Sequence, residues 1–157
     1  IFCFGKKAQV CGIASTKRVD SVENNVFHES SRLNSTWGGN LVDMVRCSKY
    51  LKIMVEENIL ENVRNRSVTL MDGLKSLQEQ FPASITSIRG RGLMCAFDLP
   101  DGATRNRMLE EIMKNGAIIL PCGEKSIRFR PPLNISDEEL LSGLDMITRA
   151  ANSVLDG

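Results

Sequence analysis

The residues with the most chemical potential in this chain are two adjacent lysines, Lys6 and Lys7, which follow the run Ile1-Phe2-Cys3-Phe4-Gly5. An apolar, Phe-rich run that meets a glycine reads as a buried strand that stops abruptly, with a cation at its tip. Ligands of open α/β sheets bind at the carboxyl ends of strands. Burial and a like-charged neighbour both disfavour a protonated amine, and an uncharged lysine can bond to a carbonyl carbon. The competing reading is two solvated lysines capping a strand. Further along, Asn34-Ser35-Thr36-Trp37-Gly38-Gly39-Asn40 sets two hydroxyls before a glycine pair. That is a tight turn whose backbone amides can face an anion. Near the end, the segment 126–130 alternates Ile127 and Phe129 with Arg128 and Arg130. An arginine in that setting can hold a carboxylate by two parallel hydrogen bonds. A lysine for an aldehyde, a turn for a phosphate and an arginine for a carboxylate form the set that pyridoxal 5'-phosphate chemistry on amino and keto acids requires.

These residues need elements to position them. A second short apolar segment, 9–15, reads as a strand close to the first. The polar stretch 16–35 reads as an irregular crossing with a short helix. The spacing of Leu41, Met44, Val45, Ser48, Leu51 and Val55 predicts a helix over 40–56. Leu60, Val63, Leu70, Leu74 and Leu77 predict a second helix over 59–80, ended by Phe81-Pro82. Both stripes are expected to face a core. Strands are expected at 85–88 and 93–99, with Arg89-Gly90-Arg91-Gly92 as the turn between them. A helix follows over 103–115, carrying Met108, Leu109, Ile112 and Met113, with Gly116 as its C-cap. Strands at 117–120 and 126–130 come next, separated by a break at 121–123. Ser136-Asp137-Glu138-Glu139 is a capping box. It opens a final helix with Leu140, Leu141, Leu144, Ile147 and Val154 towards the core. The expected organisation is the end of a large α/β domain over 1–37, linking helices over 38–80, and a small α+β domain over 81–157.

Composition narrows the classes. Of 157 residues, 42% are apolar and 25% charged, which is a globular balance. A net charge of +1 gives no electrostatic case for nucleic acid or an anionic membrane. No apolar run is long enough for a membrane span. Five scattered cysteines and a sole histidine, His28, argue against a disulfide frame or a metal cluster. They fit a reducing compartment, read here as the cytoplasm, with organelle targeting left open. Because the chain opens on Ile1 inside an apparent strand, it reads as a piece of a longer polypeptide cut within its core.

Four motifs in order carry a resemblance. They are Phe-Gly-Lys-Lys-Ala-Gln-Val-Cys-Gly (4–12), Arg-Leu-Asn-Ser-Thr-Trp-Gly-Gly-Asn (32–40), Arg-Gly-Arg-Gly-Leu-Met-Cys-Ala-Phe (89–97) and Ile-Arg-Phe-Arg-Pro-Pro-Leu (127–133). With them, essentially the whole chain resembles the C-terminal part of class III (ω-) aminotransferases, which have the α/β architecture of PLP fold type I. The wording of the first, second and fourth motifs is most similar to the branch acting on the ε-amino group of lysine. It is less similar to the ornithine and 4-aminobutyrate branches.

The resemblance implies roles. Lys6, directly after Gly5 and thirty residues before Thr36, matches the lysine that bonds to the cofactor aldehyde and later moves the proton as general base and acid. Lys7 is the fallback. Thr36, with Ser35, matches the hydroxyl that reaches the cofactor phosphate of the other subunit, which implies a homodimer with shared active sites. Asn34 is the weaker carry-over, near substrate. Arg128 matches the arginine that grips the α-carboxylate of glutamate and 2-oxoglutarate. The phosphate loop, the ring-stacking aromatic residue and the acid for the pyridine nitrogen have no counterpart in these residues, so the chain is not expected to be a competent enzyme alone. The reading from another class is a small non-catalytic domain that binds a partner or metabolite.

Overall fold

The computed structural model describes residues 1–33 and 39–156. The chain divides into two compact units, Ile1–Glu57 and Asn58–Gly157. That division falls within the stretch 38–80.

The first unit opens with strands β1 (Phe2–Phe4) and β2 (Gly12–Ala14), paired antiparallel with Phe4 opposite Gly12. The Phe4 ring lies over Gly12: a Cβ there would come within 2.4 Å of Phe4 Cζ. Only glycine allows that approach. A 3-10 turn, Lys6–Ala8, joins the two strands, and a second, Lys17–Ser21, follows. Asn25 then anchors the crossing. Its amide donates to the carbonyls of Val19 and Val22 at 3.2 and 3.0 Å, and its oxygen accepts from the Phe27 N–H at 3.0 Å. Helix α1 (Leu41–Glu56) starts on Asn40, whose side-chain oxygen accepts from Val42 N and Asp43 N. This is the capping role in which Asn is favoured.

Two expectations fail in this unit. β1 was expected to be buried, but all three of its residues are exposed, because a two-stranded ribbon covers neither of its own faces. The α1 stripe was expected to face a core, yet the helix has no buried residue. Leu41, Val45, Leu51 and Val55 are all more than half exposed. Periodicity marks the apolar face, and nothing among the described residues of this unit covers it.

The second unit is an antiparallel sheet of order β3-β4-β6-β5, packed against helices on one face. Helix α2 (Ile59–Gln80) leads into β3 (Thr86–Arg91) and β4 (Met94–Asp98). Helix α3 (Gly102–Lys114) follows, then β5 (Leu120–Cys122), β6 (Ser126–Phe129) and helix α4 (Asp137–Leu155). The core joins Leu70, Leu74 and Leu77 of α2 to Met108 and Ile112 of α3 and to Leu140 and Ile147 of α4. All of these close over Cys95, Phe97, Ile127 and Phe129 of the sheet. Phe97 and Phe129 meet with ring centroids 5.5 Å apart. The expected capping box is present, Ser136 and Glu139 bonding reciprocally. Gly116, at φ 103°, ends α3 as expected.

Four placements differ. The hairpin turn is Gly92-Leu93, between Arg91 and Met94, and Arg89, Gly90 and Arg91 belong to β3. Gly90 is a strand glycine: a Cβ would lie 2.6 Å from Cys95 Sγ and from the Met94 carbonyl. The strand expected over 117–120 is displaced to Leu120–Cys122. Its Pro121 is tolerated because β5 is an edge strand. Leu141 and Leu60, both expected to face the core, are exposed.

Candidate functional site

At the end of β1 the backbone turns through Gly5 into Lys6, which takes the left-handed conformation at φ 55°. That is uncommon for a side chain of this size. The turn closes by backbone bonds from Ala8 N to the Gly5 carbonyl, at 3.1 Å, and from Gln9 N to the Lys6 carbonyl, at 3.0 Å. Gln9 is also left-handed, at φ 66°. Both lysines of the pair are exposed. Burial, one of the two effects expected to act on them, is therefore absent. Among the described residues neither Lys6 nor Lys7 has an ion-pair partner, and the Lys6 amine takes part in no hydrogen bond. Asn34, Ser35 and Thr36 lie outside the described residues.

Arg128 belongs to the second unit. Strand alternation puts Ile127 and Phe129 into the core and Arg128 on the opposite, open face of the sheet, as the sequence predicted. It lies opposite Ala96 of β4 and Leu120 of β5. Its Nε is buried and has no hydrogen-bond partner among the described residues. Native structures rarely leave such a donor unpaired without a reason. Arg128 also lines a cleft of about 440 Å³ whose walls are mostly apolar, including Ile119, Phe129, Pro131 and Leu140.

A polar cluster that the sequence did not reveal lies on the same face. Arg89 reaches Asp98 at 2.9 Å and Ser126 Oγ at 3.0 Å, and Ser126 Oγ donates to Asp98 at 2.6 Å. The Ser126 hydroxyl, and then Arg89, hold the Asp98 carboxyl below the usual carboxylate range against the opposing effect of burial. Ser126 precedes Arg128 by two and so shares its face. That spacing was the available signal. The partners Asp98 and Arg89 needed the cross-strand register. Among the described residues no cluster of His, Cys, Asp and Glu could hold a metal, and no helix is long and apolar enough to cross a membrane.

An amine without an ion pair at a strand end, and a guanidinium with an unpaired donor on a sheet face, suit an aldehyde and a carboxylate. Residues 1–151 match the family model described as aminotransferase class-III. The chain belongs to the class III aminotransferases. Among its relatives in this family, the L-lysine-epsilon aminotransferase of Amycolatopsis lactamdurans is 46% identical over 154 residues, 98% of this chain and 34% of that protein. A solved structure of lysine aminotransferase from M. tuberculosis, in the internal aldimine form, superposes with a TM-score of 0.91 at 43% identity. It covers 97% of this chain and 35% of that one. The mitochondrial 4-aminobutyrate aminotransferase of Rattus norvegicus is 39% identical over a shorter stretch, 68% of this chain and 21% of that protein. This class III chain thus spans about a third of the length of the lysine aminotransferases it matches.

Proposed function

We propose that the chain is part of a lysine ε-aminotransferase. That enzyme passes the ε-amino group of L-lysine to 2-oxoglutarate, leaving 2-aminoadipate 6-semialdehyde, which cyclises, and forming glutamate. One observation carries the donor assignment: likeness to L-lysine-epsilon aminotransferases runs over nearly the whole chain at 46% identity, whereas the 4-aminobutyrate relative matches only part of it. The ornithine and 4-aminobutyrate readings are not favoured.

Pyridoxal 5'-phosphate, when bound, supplies the electron sink for this reaction. The residues suit it. Lys6 Nζ, without an ion pair among the described residues, is the amine that would bond to the aldehyde carbon. Once displaced by the substrate amine, Lys6 would carry the proton from the carbon bearing that amine to C4' of the cofactor, and with 2-oxoglutarate it would run the same transfer in reverse. By the resemblance, Ser35 and Thr36 would offer hydroxyls to the cofactor phosphate of a partner subunit, and Asn34 would serve near substrate. Arg128 would bind and orient the α-carboxylate of 2-oxoglutarate through the outer nitrogens of its guanidinium, its Nε being buried. In this reading residues 1–37 end the large cofactor-binding domain, 38–80 link, and 81–157 form the small domain. The uncovered apolar face of α1 supports a second copy of the protein against it.

The test is reductive labelling. The full-length gene product is mixed with pyridoxal 5'-phosphate, treated with borohydride and mapped by peptide mass spectrometry. Label on Lys6 is expected. Label on Lys7 would overturn the lysine assignment, and no label on either would overturn the reaction. A donor panel of lysine, ornithine and 4-aminobutyrate then tests the substrate, with lysine expected to lead.

A further inference from the structure

Lys6 holds an unfavourable backbone conformation, and its carbonyl is tied into a chain of polar contacts. Gln9 is the hub. Its backbone N–H donates to the Lys6 carbonyl at 3.0 Å, and its side-chain Nε2 donates to the same oxygen at 3.4 Å. Its side-chain Oε1 accepts from Arg46 Nη1 at 3.1 Å. Arg46 stands on the second turn of α1 and pairs with Asp43 Oδ1 at 3.0 Å on the first. One amide side chain therefore uses both of its ends: the donor end holds the Lys6 carbonyl, and the acceptor end holds a helix. A residue in the left-handed region persists only where its surroundings fix it. Lys7, in the same turn, has no such tether to its carbonyl among the described residues.

We infer that Gln9, held by Arg46, is a positioning residue that fixes the Lys6 turn, so that Lys6 rather than its neighbour Lys7 presents the reactive amine. The inference rests on the proposed role of Lys6. It adds how the chain chooses between two adjacent lysines. A left-handed Lys6 and a differently oriented Lys7 send their side chains in different directions. Loosening the turn lets the two exchange roles. The helix that anchors the tether is also the one that follows Thr36 in sequence, with Leu41 five residues on.

The experiment compares the label ratio of Lys6 to Lys7 after borohydride treatment of the full-length gene product with pyridoxal 5'-phosphate. Gln9→Ala removes both side-chain bonds, and the ratio is expected to fall roughly three- to tenfold, the range that loss of one exposed hydrogen bond to the Lys6 carbonyl supports. Gln9→Glu keeps an acceptor for Arg46 but loses the donor to the Lys6 carbonyl, so it should fall as far. Arg46→Ala should fall less, and Arg46→Lys should restore part of the ratio. Hydrogen exchange at the Gln9 amide, which is bonded to Lys6, should quicken in step. Faster exchange with an unchanged label ratio would assign Gln9 a structural role only and overturn the inference. Label on Lys6 at the same ratio in Gln9→Ala would do so as well, while leaving the proposed reaction standing. Absence of label from both lysines in the unsubstituted protein would overturn the reaction and, with it, this inference.

Discussion

Arg128→Met separates what the arginine does for the fold from what it does for the substrate. The buried Nε has no partner among the described residues, and leaving a buried donor in that state costs about 1–3 kcal/mol, more where the group is charged. Methionine keeps an unbranched stem against Ala96 and Leu120, its cross-strand neighbours, and removes the unpaired donor. The sheet around β5 and β6 should therefore become more stable by about 1 kcal/mol, seen as roughly fivefold slower hydrogen exchange of its amides. The catalytic effect has the opposite sign. Two charge-assisted hydrogen bonds to a carboxylate contribute about 1.5–3 kcal/mol each. Together they predict a loss of about 3–6 kcal/mol. That corresponds to roughly 10²–10⁴-fold in kcat/KM for 2-oxoglutarate. The half-reaction with lysine, measured alone by rapid mixing in the full-length gene product, should change far less. Faster exchange in Arg128→Met, or an unchanged kcat/KM for 2-oxoglutarate, would refute the reasoning. Equal loss in both half-reactions would show that the arginine serves the fold or the cofactor instead.

Other outcomes follow from the second unit. Ser136→Ala removes the capping box at the start of α4 and should cost about 1 kcal/mol, read as faster exchange in the first turn of that helix. Phe97→Ala empties the centre of the core, where Phe97 is fully buried against Phe129. It should cost about 3–5 kcal/mol in urea denaturation. Asp98 has a folded-state pKa below its ordinary value, because Ser126 and then Arg89 stabilise its charged form. Its contribution is therefore complete above the unfolded value, near pH 4, and is lost as pH falls through the folded one. Urea midpoints measured from pH 7 downward should decline below about pH 4, and Asp98→Asn should flatten that part of the decline.

How much of this was legible depended on the kind of signal. Helices α2, α3 and α4 stand within a residue or two of where their periodicity and end signals put them. Gly116 and Ser136 are local punctuation that acts on their own backbones. Arg128 was legible for the same reason, since alternation alone fixes its face against Ile127 and Phe129. Glycine and proline misled where their role was long-range. Gly90 stays in its strand because Cys95 and Met94 crowd it, and Pro121 is carried by an edge strand. Burial of β1 and of the α1 stripe was read from apolar content, which states a preference and not a partner. The contact of Gln9 with Arg46 crosses 37 residues between two exposed polar groups, so it left no periodic trace.

The open face of the sheet gives the strongest physical reason to separate Arg128 from an ordinary structural arginine. Arg89, Ala96, Arg128 and Leu120 lie in one cross-strand row, with Arg89 opposite Ala96, Ala96 opposite Arg128 and Arg128 opposite Leu120. Two guanidinium-bearing positions thus stand two strands apart, about 9–10 Å, with a small side chain between them. The neighbouring acid on that face, Asp98, is taken by Arg89 and Ser126. A structural pair would be expected to satisfy the more buried donor first, since that one loses more by standing alone. Here the half-exposed Arg89 has the carboxylate, and the buried Nε of Arg128 goes without. An arrangement that keeps its acid away from the donor in most need of one is unfavourable for the fold by itself. Among the described residues no acid pairs with Arg128, so in the proposed reading its outer guanidinium nitrogens stay open to the carboxylate of a 2-oxo acid.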